Sequence, residues 1–312
     1  MYRRRKLTRR PFPHEWEATL RQSCRHFACL PTEQRDRAKA IIQVMVAEKD
    51  WAGAGDLQVA ESMRVTIAGH AAVMASGFAD PYYFDRLHAI VVHPRAIAFR
   101  PEQTARNPWL PSGTLAGVAW RRGPVMLSWA DILREQRGRR PGGNVVMHEF
   151  AHHLDGLDGE MDGVPPLKDA SAEQRWRDVA ESEFLRLVGK SRRQESSLLD
   201  SYGAESPAEF FAVATECFFE TPHPMRRLHG DLYAVLSDFY RQDPSQWLPP
   251  SEQIHVEPQS QPQGPRRPTS DAARDGKGSV RRRMRREDER RLRALKSMSA
   301  GDALFTLGLV HL

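Results

Sequence analysis

Cysteine is scarce, with three in 312 residues: Cys24, Cys29 and Cys217. So few, at such spacings, exclude a disulfide framework and a paired-cysteine metal motif, and they suit free thiols in a reducing cytoplasm. Long apolar runs are missing as well. No stretch approaches the roughly 20 residues that a membrane-spanning helix needs. A mean hydropathy of −0.59 with 28% charged residues fits a soluble chain that carries some disordered sequence. A hydrophobic export segment is lacking too, because Pro11-Phe12-Pro13-His14-Glu15-Trp16 follows the basic first ten residues where such a segment would stand. The expectation is a cytoplasmic protein without a membrane partner.

An excess of charge is present, but not where a fold would use it. The chain carries +6 overall, of which residues 3–10 supply six positive charges. Residues 251–312 hold 13 basic and 8 acidic side chains, which leaves residues 11–250 at −5. Flanking charge runs of this kind read as solvated, mobile sequence, and no nucleic-acid recognition motif accompanies them, so nucleic acid is not an expected partner.

The most specific segment is His148-Glu149-Phe150-Ala151-His152, an H-E-x-x-H core inside an apolar run. Two histidines four residues apart share one helical face and can reach a single Zn²⁺, while the intervening Glu149 can activate the attacking water. Turning about 100° per residue from His148 puts His152 near 40° and Glu149 near 100°, with Val146, Met147, Phe150, Ala151 and Leu154 between about 160° and 300°. One side can be buried while the other faces a site. Asn144 is the expected N-cap after Pro141-Gly142-Gly143, and Gly156 the expected stop. His153 lies about 100° from His152, which predicts a surface or supporting residue rather than a ligand. Asp155 can either orient a ligand imidazole or make a loop contact.

A zinc site needs a third protein ligand. Asp158 occupies the position used in H-E-x-x-H-x-x-G-x-x-H, but residue 155 is Asp where that pattern needs glycine. A second source is the helix opened by Ser206-Pro207-Ala208-Glu209, with Ser206 as N-cap and Pro207 at the first position. Glu209 stands one turn in, though Ser206-x-x-Glu209 is equally a capping box whose carboxylate could reach back to Ser206 N–H. Glu205 and Glu216 are fallbacks, outside the first turn or on another face.

The core motif, together with Ser201-Tyr202-Gly203-Ala204-Glu205-Ser206-Pro207-Ala208-Glu209-Phe210-Phe211-Ala212, resembles the Mlc titration factor A family of bacterial zinc metallopeptidases. A similar pairing occurs in the catalytic domain of anthrax lethal factor. The likeness extends to Gly123-Pro124-Val125-Met126-Leu127-Ser128-Trp129 and Phe239-Tyr240-Arg241-Gln242-Asp243-Pro244, and covers roughly residues 15–248. It implies that His148, His152 and Glu209 bind Zn²⁺, that Glu149 is the general base, and that Tyr202 donates to the oxyanion of the tetrahedral intermediate. It also implies an α+β, zincin-like domain with a small sheet packed on the metal-binding helix. The implied activity is hydrolysis of a peptide or protein substrate, aminopeptidase-like or of limited specificity. Proteins of this family are named for sequestering a transcriptional repressor of sugar uptake, so a repressor partner is implied, and the competing class is a binding module without proteolysis.

Periodicity predicts amphipathic helices at 15–30 and 33–49, a third near 57–76, and one from Trp129 to about Arg137. Strands are predicted at 87–93, 115–120 and 124–129, the last two joined as a hairpin. The segment Val125-Met126-Leu127 is the expected sheet edge for an added substrate strand. His88 and His93 face opposite sides of their strand and cannot share a metal, and His70 reads as a core or inter-helix histidine. The organisation expected is a basic arm at 1–13, the peptidase domain at 14–250, and a disordered basic tail at 251–312 with a short charged helix at 281–296 and an apolar terminus at 303–310.

Overall fold

The computed structural model describes residues 2–95, 124–137 and 142–250. The predicted strand at 115–120, its hairpin link, and everything expected of 251–312 lie outside the described residues.

Helices dominate. α1 (Tyr2–Thr8) is followed by α2 (His14–Ser23), α3 (Arg25–Cys29), α4 (Thr32–Glu48) and α5 (Glu61–Ala75). Every residue of α5 from Val65 to Ala75 is buried, as expected of a helix that is apolar all round. α2 crosses it closely: a Cβ on Gly69 would stand 2.3 Å from Leu20 Cδ2. The helix predicted over 15–30 is two helices, because Cys24 leaves helical geometry at φ −140°, ψ 83° before the chain re-enters at Arg25. No glycine or proline marks this break. The first residues, expected to be mobile, form α1 against α4, with the Arg4 guanidinium bonded to Glu48 and Asp85.

Three short strands form a parallel sheet in the order β1 (Asp50–Gly53), β2 (Ala89–His93), β3 (Val125–Ser128). Ile90 pairs with Val125 and Val92 with Leu127, so the buried alternation of β2 continues onto β3 and gives one apolar face. Among the described residues β3 pairs only with β2.

Then come α6 (Trp129–Gln136), α7 (Val145–Asp155), α8 (Ala170–Arg192), a 3₁₀ turn (Ser201–Ala204) and α9 (Pro207–Glu220). α10 (Pro222–Leu228), α11 (Gly230–Tyr240) and α12 (Pro244–Trp247) complete the described chain. The molecule is therefore α+β, mostly helical around one small sheet. α7 packs on β3, on α5 and most extensively on α9, whose residues from Phe210 to Phe219 are all buried. No described helix is long and apolar enough to cross a membrane.

Candidate metal centre

α7 starts where its chemistry allows. Asn144 Oδ1 accepts from Met147 N–H at 3.1 Å, Glu135 accepts from Val145 N–H at 2.8 Å, and Glu216 accepts from Asn144 N–H. Three amide donors that the helix cannot satisfy internally are thus taken, two of them by carboxylates that favour the positive helix end. Val146, Met147, Phe150, Ala151 and Leu154 are fully buried, which leaves His148, Glu149 and His152 on the other face.

α9 supplies the carboxylate. Ser206 Oγ accepts from Glu209 N–H at 3.2 Å, so the N-cap forms, but the Glu209 side chain turns to the histidines instead of reaching back to Ser206. Glu209 Oε2 lies 3.0 Å from His148 Nε2 and 3.3 Å from His152 Nε2. One ligand atom from each of the three residues falls within 4.8 Å of the others. Two imidazoles and a carboxylate, converging from two helices, are a donor set that fits a divalent metal of the zinc class with one position left for water.

Electrostatics follow from this packing. Burial works against a charge on His148, but hydrogen bonds to Glu209 and then Glu216 outweigh it and lift its pKa to about 10 in the metal-free site. Burial would likewise raise Glu209, yet hydrogen bonds from His148 and His152 hold it well below the usual carboxylate range. Glu149 shifts upward because burial outweighs the nearby histidines. A carboxylate moved toward neutrality is a stronger proton acceptor, as a general base requires. Tyr202, on the 3₁₀ turn, is 43% exposed, and its ring centroid lies 5.9 Å from that of His148. Its phenol is held protonated first by burial and then by Glu209, so it stays a donor.

The other candidates separate plainly. Asp158 is exposed and caps the loop through Glu160 N–H, and Glu205 is exposed. His153 turns to the opposite side, where its Nε2 meets Tyr82 Oη at 2.9 Å, its ring stacks with Tyr82, and Phe84 lies tilted beside it. Asp155 takes the loop contact: its Oδ2 accepts from Gly163 N–H at 3.0 Å, while His152 Nδ1 is buried without a partner.

Glu216, expected only as a fallback ligand, bonds to His148 instead. Its Oε1 accepts from His148 Nδ1–H at 2.7 Å, which fixes the tautomer and aims Nε2 at Glu209. Seven residues from Glu209 is two turns of helix, the same face, and that spacing was the available signal.

Comparison with known proteins gives the chain a family. The family model for glucose-regulated metallo-peptidase M90 matches residues 1–241. An uncharacterized protein of Synechocystis sp. is 35% identical over 248 residues, covering 78% of this chain and 89% of its own length. Mlc titration factor A of Pectobacterium atrosepticum is 28% identical over 239 residues, 73% of this chain and 86% of that protein, and the Salmonella agona protein of the same name is 37% identical over 43% of this chain and 50% of its own. With a family match over residues 1–241, the chain belongs to the glucose-regulated metallo-peptidase M90 family, and the Mlc titration factor A proteins are among its relatives.

Proposed function

We propose that this chain is a zinc-dependent peptidase with a zincin-like domain, in which His148, His152 and Glu209 hold the metal. The observation that carries the reading is the convergence of those three ligand atoms within 4.8 Å beside Glu149. A bound Zn²⁺ supplies a Lewis acid that polarises the scissile carbonyl and acidifies water. Glu149 takes the proton from the attacking water and passes it to the departing amine. Tyr202 donates a hydrogen bond to the oxygen of the former carbonyl as negative charge develops there. Glu216 keeps His148 in the tautomer that offers Nε2 to the metal. The open side of β3 takes the substrate backbone as an added strand, supported by its single partner among the described residues.

The test is metal content and turnover of a peptide panel, half with free and half with acetylated N-termini, by native protein and Glu149→Gln. Bound zinc with cleavage lost in Glu149→Gln supports the reading, and cleavage confined to free N-termini makes the enzyme an aminopeptidase. Bound zinc with no cleavage by either form removes it in favour of a repressor-binding module. The name of the Mlc titration factor A relatives supports that second reading, for which Glu149→Gln should bind a purified Mlc-type repressor as tightly as native protein does.

A further inference from the structure

A second cluster of metal-ligating side chains lies outside this centre. Cys24, His26 and His70 are all buried, and one ligand atom from each falls within 4.8 Å of the other two. Cys24 sits in the break between α2 and α3, His26 in α3, and His70 in the buried middle of α5. Hydrogen bonding fixes both rings in the same tautomer. His26 Nε2–H donates to Phe219 O at 3.1 Å and His70 Nε2–H to Ser23 O at 3.0 Å, so each ring keeps a lone pair on Nδ1. His26 Nδ1 is buried and has no partner, a cost that a purely structural histidine would not ordinarily carry. His70 Nδ1 stands 3.8 Å from Cys24 Sγ, close to the roughly 3.5 Å between a sulfur and a nitrogen that share one tetrahedral zinc.

We propose that Cys24, His26 and His70 form a second, structural metal site for a thiophilic divalent cation of the zinc class. Thiolate and imidazole select zinc, cobalt or copper over calcium or magnesium. Glu220 adjoins the cluster behind His26, its Oε1 3.5 Å from His26 Nε2 and its Oε2 paired with Arg25 at 2.9 Å, so the Cys24 thiolate is the anionic ligand and the carboxylate balances the guanidinium. Asn144 Nδ2 donates both to His70 Nδ1 at 3.0 Å and to Glu220 Oε1 at 2.7 Å. On metal binding His70 Nδ1 exchanges that amide for the cation, and the Cys24 proton leaves to solvent, while Asn144 keeps Glu220. The site would pin the α2–α3 break and α5 beside the N-cap of the helix that carries His148. Without metal, burial pushes the Cys24 thiol up to about 12 and His70 down to about 4, so both side chains are neutral.

The full chain produced in cobalt-supplemented minimal medium tests this, because a thiolate-to-cobalt charge-transfer band in the near ultraviolet can come only from a cysteine ligand, and the centre at His148 contains no sulfur. The expected result is two cobalt ions per chain with the band present. Cys24→Ser should lose the band and one cobalt, and Glu209→Ala should lose one cobalt and keep the band. A cobalt-loaded native protein without the band overturns the proposal, whatever the fate of the variants and with the peptidase reading untouched. A band that persists in Cys24→Ser overturns it as well, since the ligand would then be Cys29 or Cys217.

Discussion

His148 stands between two carboxylates of one helix, with Nδ1 bonded to Glu216 and Nε2 facing Glu209. Removing the outer one by Glu216→Gln should weaken metal affinity about 10- to 100-fold, read by competition with a chelating dye while helix content stays unchanged. Charge has a second effect. The metal-free site holds a proton on His148 up to about pH 10, well above the unfolded value of about 6.5. Its contribution to metal-free stability is therefore full below about pH 6.5 and is lost as pH rises through 10, and metal affinity runs the other way, rising with pH across that window. Near pH 7 metal uptake should release about one proton, measurable by calorimetry in buffers of different ionisation heat; release of none would mean that the imidazole is already neutral.

Among the elements, local chemistry was legible and distant pairing was not. Asn144 and Gly156 bound α7, and Ser206 with Pro207 opens α9, as their capping chemistry predicts. The strand Asp50–Gly53, Asp-Trp-Ala-Gly, is too short to carry a sequence signal and exists because it pairs with β2, nearly forty residues further on. The break at Cys24 likewise carries no local signal. Gly163 is the joint between α7 and α9. Its φ is +79°, its N–H bonds to Asp155, its carbonyl accepts from Trp176 Nε1, and an added Cβ would stand 2.3 Å from Pro207 O. Gly163→Ala should cost more than about 1 kcal/mol and lower metal affinity as well, because the strain falls two residues before Glu209; urea titration and dye competition report the two effects separately. Glu183 of α8 accepts from His229 Nδ1 at 2.7 Å, and although burial opposes it, that bond lowers the Glu183 pKa. This stability is present above the ordinary glutamate pKa and is lost as pH falls through the lowered one. Glu183→Gln should then cost about 1–2 kcal/mol at pH 7 and little at pH 3, by denaturant midpoints at the two values.

At the scale of the whole molecule, the basic N-terminus belongs to the fold. Of its six positive side chains, Arg4 alone among the described residues ties α1 down by ion pairs, to Glu48 and Asp85, and it remains about a third exposed. Exposed pairs contribute up to about 1 kcal/mol, so Arg4→Ala should barely move the melting midpoint yet speed amide exchange over residues 2–10, a contrast that mass spectrometry after brief deuteration resolves. Charge counting could not find this, because Arg4 differs from its neighbours only in what lies opposite it.

The parallel order of the described strands also sets a sequence in time. Parallel neighbours need crossovers, and here the strands begin at residues 50, 89 and 125. α2, α4 and α5 can collapse on one another through short-range contacts as soon as they are made, whereas the sheet must wait for β3 and the loop closures that bring it home. The helix bearing His148 follows β3 and docks on it, and its carboxylate partner arrives some sixty residues later still. On the proposed ligand set, convergence should then come late in folding, and the nascent chain should not capture metal until most of its domain has left the ribosome.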